Sequence, residues 1–107
     1  MVSLPQPIRS YFDANASFDI EGMVAPFAAH ALVHDESRQH RGRHEIREWI
    51  AESTLKPRAV AVPTSVGAEY GKHCVIATVS GAFPGSPISL SFHFRLEGDE
   101  IAELKID

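Results

Sequence analysis

The chain predicts a single α+β domain, and three observations carry that prediction. Its 107 residues leave room for one hydrophobic core, so residues 1–107 are read as one domain. The first half repeats its apolar residues at helical spacing. The second half alternates with a period of two, and helices grouped ahead of antiparallel strands make the α+β pattern.

The elements follow in order. Pro5 and Pro7 suit a helix start, and Ile8, Tyr11, Phe12 and Asn15 then fall at i, i+3, i+4, i+7. Asp19 is the expected N-cap of a second helix, with Ile20, Met23, Val24 and Phe27 as its stripe and Pro26 inside it. Ala31–Asp35 reads as a short strand, and a second short strand is expected near His40. A third helix is predicted from Arg43 to about Thr54, ended by Pro57, with Ile46, Trp49, Ile50 and Ser53 on one face. Ala59–Val62 reads as a strand stopped at Pro63, and Thr64–Tyr70 as another. His73–Phe83 is long and β-branched, with Val75, Ala77, Val79 and Phe83 on one side. After the turn Pro84–Pro87, Ile88, Leu90, Phe92, Phe94 and Leu96 point one way and Ser89, Ser91, His93 and Arg95 the other. A last strand runs from Glu100 to Ile106.

Composition excludes several functions. A net charge of −4 with no Lys/Arg block argues against nucleic acid. No apolar run approaches the length of a membrane span. Met1-Val2-Ser3-Leu4-Pro5 does not begin like a secretory signal, so a cytoplasmic protein is the expectation. The single cysteine, Cys74, leaves no disulfide framework and no cysteine-based zinc site. His30 and His34, like His40 and His44, are four apart, but each pair spans a predicted junction. His44-Glu45 starts like a zincin motif, yet Glu48 stands where the second histidine belongs. No metal and no cofactor are expected. Serine lacks a nucleophile elbow, and Gly67, Gly71 and Gly98 are isolated turn residues.

Asp35 is the sharpest catalytic candidate. Strand alternation puts it on the side of Val33, so an inward Val33 brings the carboxylate inward too. A carboxylate against an apolar wall is a usable base. The competing reading is a loop aspartate paired with Arg41 or Arg43. Tyr11, on the apolar face of the first helix, is the second candidate, against a plain core role.

Asp19–Ala28, Val33-His34-Asp35, Arg41–Trp49 and Phe92–Leu96 followed by Gly98 together resemble the SnoaL-like polyketide cyclases and ketosteroid isomerases. The match runs in order along nearly the whole chain. The resemblance implies the cone-shaped nuclear transport factor 2-like fold, with three N-terminal helices on a curved antiparallel sheet and a pocket inside. That fold serves enzymes and binders alike. The resemblance places Asp35 at the proton-transferring aspartate and Tyr11 at the hydroxyl donor. Phe92 falls where ketosteroid isomerases carry a protonated carboxylic acid, which argues against steroid isomerisation.

Met23, Phe27, Val33, Trp49, Ile50, Val79, Phe83, Phe92 and Phe94 are expected to line the pocket. Its occupant is expected to be a small apolar carbonyl compound. A homodimer is expected through the outer sheet face, Ser89, Ser91, His93 and Arg95. A non-catalytic binding or assembly module of the same fold is the alternative. An epoxide hydrolase of the limonene type ranks lowest, for want of a second interior carboxylate.

Overall fold

The computed structural model describes residues 3–107, and of Glu69 only the backbone. Met1 and Val2, where the leader reading began, lie outside the described residues. Three α-helices come first: α1 (Gln6–Ala16), α2 (Ile20–Val24) and, after a hairpin, α3 (Gly42–Ile50). A π-helical turn, Ala51–Leu55, prolongs α3. The strands are β1 (Phe27–Asp35), β2 (Arg38–Arg41), β3 (Val60–Glu69), β4 (Lys72–Ser80), β5 (Ile88–Glu97) and β6 (Glu100–Ile106). They form one sheet in the order β2-β1-β6-β5-β4-β3. Neighbours run antiparallel except β1 and β6, which are parallel. A parallel pair needs a long crossover, and residues 36–99 lie between these two strands.

The helix starts follow local chemistry. Pro7 sits in the first turn of α1, where a missing N–H costs nothing. Asp19 caps α2 as expected, its Oδ1 accepting the Gly22 N–H at 3.0 Å. The end of α2 comes earlier than the stripe suggests. Phe27 belongs to β1, because the Pro26 carbonyl accepts the Ile101 N–H at 2.8 Å and sheet pairing begins there. With β1 starting at Phe27, His30 and His34 lie on one strand rather than across a junction.

Pro63 does not divide two strands. It sits in β3, the edge strand, where the register slips between Pro63 and Ser65. An edge bulge is one of the few places a strand accepts proline. Further slips interrupt β1 between Phe27 and Leu32 and β5 between Arg95 and Leu96. Such irregularities bend a sheet around what it covers.

The helices pack into the concave face. Ile8 and Phe12 from α1, Met23 from α2 and Ile46 and Ile50 from α3 meet Val75, Ala77, Phe94, Ile101 and Leu104 of the sheet, all buried. Asn15 ties α1 to the far edge. Its Nδ2 donates to the Ala59 carbonyl at 3.0 Å and its Oδ1 accepts the Ala61 N–H at 2.7 Å. One side chain thus completes two backbone groups of β3 and the residue leading into it.

Candidate functional site

A cavity of about 1380 Å³ opens to solvent between the helices and the inner sheet face. Asp35 and Tyr11 both line it. Asp35 ends β1, where a two-residue turn, Glu36-Ser37, brings β2 back with Asp35 opposite Arg38 and Val33 opposite His40. Both turn residues have positive φ, 51° and 63°, as a tight hairpin turn of this kind requires. Val33 is fully buried, and Asp35, two residues further along the strand, faces inward with it, half-buried.

The Asp35 carboxylate is held rather than free. The Trp49 indole, from the inner face of α3, donates Nε1–H to Asp35 Oδ2 at 2.9 Å. Burial pushes the Asp35 carboxyl above its usual range, helped by the nearby Glu36 charge. The Trp49 hydrogen bond, the His40 ring and the Glu36 N–H act against that rise without cancelling it. His40 also faces Trp49, ring centroids 6.1 Å apart. Neither arginine competes for Asp35: Arg41 reaches the His30 carbonyl, and Arg43 the Phe27 carbonyl and Glu100. The pairing of Asp35 with Arg41 or Arg43 is therefore not found.

Tyr11 is 4% exposed and sits edge-on to Phe12, Phe27 and Phe94. Burial first, and the Asp35 charge second, raise its hydroxyl well above the ordinary phenol range. It therefore stays protonated, a donor at any working pH. Among the described residues the hydroxyl has no hydrogen-bond partner, and it is not sealed in the core.

Of the expected lining, Trp49, Val79, Phe83 and Phe92 are there. Met23, Phe27, Val33, Ile50 and Phe94 are not; they form the packed layer beneath. Periodicity tells inward from outward but not how deep an inward residue lies. The cavity also takes His40, Asn15, Leu90, Ile88 and Ile106, which the sequence reading left in other roles. Hairpin register was the signal for His40, since it faces inward across from Val33. Phe92 stands 4% exposed in the cavity wall, packed edge-on against Phe12 at 5.3 Å.

The histidines are largely engaged with carboxylates. His30 meets Glu97, His34 meets Glu103, His44 meets Glu48 and His93 meets Asp107, at 3.0–3.5 Å. Among the described residues no three metal-ligating side chains converge. Ser89, Ser91, His93 and Arg95 lie on the outer sheet face, where Arg95 pairs with Glu97 and Glu103. No described helix is long and apolar enough to cross a membrane.

Comparison with known proteins agrees with this architecture. The profile of the SnoaL-like domain matches residues 8–104. A candidate polyketide cyclase from Sinorhizobium meliloti is 36% identical, with 97% of this chain and 95% of that one covered and a TM-score of 0.92. A protein with a ketosteroid isomerase-like fold from Catenulispora acidiphila, solved with trimethylamine, is 18% identical (98% and 86% covered, TM-score 0.83). TerC, co-crystallised with polyporic acid, is 15% identical (95% and 88% covered, TM-score 0.78). The nuclear transport factor 2-like cone expected from the sequence is the fold found.

Proposed function

The chain belongs to the SnoaL-like domain family, and we propose that it binds a small apolar carbonyl compound in the cone and moves a proton beside that carbonyl. One observation carries this reading: a half-buried carboxylate and an unpartnered tyrosine hydroxyl open on the same cavity. The substrate oxygen would accept the Tyr11 O–H. Asp35 would take the proton from the adjacent carbon, and the resulting enolate would be reprotonated elsewhere or close a ring by aldol attack. Trp49 would hold the carboxylate in place by its 2.9 Å hydrogen bond, so little reorganisation is needed. The small molecules bound by the Catenulispora protein and by TerC support the cone as a ligand site.

Phe92 narrows the chemistry. A missing oxyanion donor costs on the order of 10²–10³ in rate. A lone tyrosine suits substrates whose proton is already acidic, such as one flanked by two carbonyls, better than a steroid ketone. The same phenylalanine favours a second reading, a binder without turnover.

Deuterium exchange separates the two. Naphthoylacetone, whose methylene lies between two carbonyls, should exchange that position in heavy water faster with the protein than in buffer alone, and Asp35→Asn should abolish this protein-dependent exchange. Protein-dependent exchange that survives Asp35→Asn removes the aspartate from the mechanism. Binding without protein-dependent exchange by the wild type supports the second reading. We also propose a cytoplasmic homodimer through the outer sheet face. Sedimentation should then give a dimer for the wild type and a monomer for Arg95→Glu; a monomeric wild type ends that proposal.

A further inference from the structure

The rim of the cavity is acidic. Asp35, Glu36, Glu45, Glu48 and Glu52 line the cavity, together with Asp107, whose carboxylate meets His93, against Arg38 and His40. Glu45, Glu48 and Glu52 follow one another three and four residues apart, so they form one stripe along α3 and the π-helical turn. Their partners leave much of that charge in place. Glu48 and Glu52 meet the exposed His44 and Lys56. Among the described residues Glu45 accepts only the neutral Arg41 N–H, at 2.8 Å, while the Arg41 side chain turns to the His30 carbonyl.

A row of glutamates on a helix is ordinarily a solvated face. A separate observation makes this one the mouth of a ligand site: the Tyr11 side chain, 4% exposed and without a hydrogen-bond partner among the described residues, opens into the space that the row borders. We infer that the cavity selects carbonyl compounds that are neutral or carry a basic nitrogen, and rejects those that carry a carboxylate. The inference rests on the cone as the ligand site and deepens that reading. A cleft lined by one sign of charge concentrates the opposite sign and repels its own. A carboxylated ligand would bring its charge among these side chains, where carboxylates outnumber Arg38, His40 and the already paired Lys56.

Three matched probes test this by equilibrium dialysis: acetylnaphthalene, its aminomethyl derivative and its carboxylate derivative. In dilute buffer the amine should bind about tenfold or more tighter than the carboxylate. Salt near 0.5 M shortens the screening length to about 4 Å and should shrink the gap to about twofold. Combined Glu45→Gln, Glu48→Gln and Glu52→Gln changes, on an exposed helix face, should shrink it without added salt. Equal affinities in dilute buffer, or a preference for the carboxylate, overturn the inference. So does a gap that persists in the glutamine variant. Failure of the neutral ketone alone counts against the carbonyl-binding reading, because the charge preference is read from the two charged probes. If none of the three binds, both fall.

Discussion

At the closed end of the cone, Tyr11, Phe12 and Phe94 stack edge-on with ring centroids between 5.2 and 5.9 Å apart. At the open end, Trp49 packs near His40 and gives its N–H to a carboxylate. Both ends draw on helices and on the inner sheet face, yet they bury different chemistry. Aromatic edges on aromatic faces add favourable packing to the burial of area. A carboxylate drawn out of water weakens the fold, and the raised pKa of Asp35 measures that cost. The closed end holds the fold together, and the open end spends some of that stability on a reactive group.

Substitutions at the two ends should therefore separate stability from activity. The largest effect belongs to Phe94→Ala, which empties a fully buried site touching three other rings. Urea unfolding should show a loss of about 3–5 kcal/mol. A loss below ~1 kcal/mol would mean that the closed end is not the structural anchor. Next, Asp35→Asn should lower proton exchange on a ketone probe by about 10²–10⁴-fold. The same variant should unfold no more easily than the wild type, because an asparagine oxygen still accepts the Trp49 N–H.

The pH dependence sharpens that contrast. Folding raises the Asp35 pKa above its unfolded value, so the ionised carboxylate weakens the fold at neutral pH. Protonation relieves that cost as pH falls through the raised value. Urea midpoints of wild type and Asp35→Asn should differ most near neutral pH and converge in acid, while wild-type exchange activity falls over the same range. An unchanged difference across the range would show that burial of the charge is not what distinguishes this end.

Tyr11→Phe joins the two ends, since its ring is core and its hydroxyl faces the cavity. Exchange should drop by about 10²-fold. Thermal melting should stay within about 2 °C, because no protein partner is lost. The smallest effect is expected from Asn15→Ala, at the cavity wall. It strips the Ala59 carbonyl and the Ala61 N–H of their partners and should cost about 2 kcal/mol in urea unfolding. A loss of exchange without that destabilisation would move Asn15 from the scaffold to the chemistry.

Much of this was legible in the sequence. Helical spacing from Ile8 to Asn15, the Asp19 cap and the alternation from Ile88 to Leu96 each describe an element by local rules. Where those rules misled, a tertiary contact won. Phe27 left the second helix because Ile101 was waiting to pair with Pro26. Pro63 stayed inside a strand because that strand is an edge. In the site, strand phase was enough to aim Asp35 inward, while the partner of its carboxylate was not legible. Asp35 and Trp49 are brought together by a hairpin turn and the placement of α3, and no spacing rule joins a strand end to a helix face.

The sequence by itself settled which side each residue faces, because side-chain direction repeats with backbone period. It also supplied the family, through motifs in one order along the chain. Depth was decided only by the tertiary structure. Phe92 and Phe94 share one strand face, yet Phe92 lines the cavity and Phe94 lies in the packed layer outside it. Which of two like residues meets a ligand depends on what the helices have already filled.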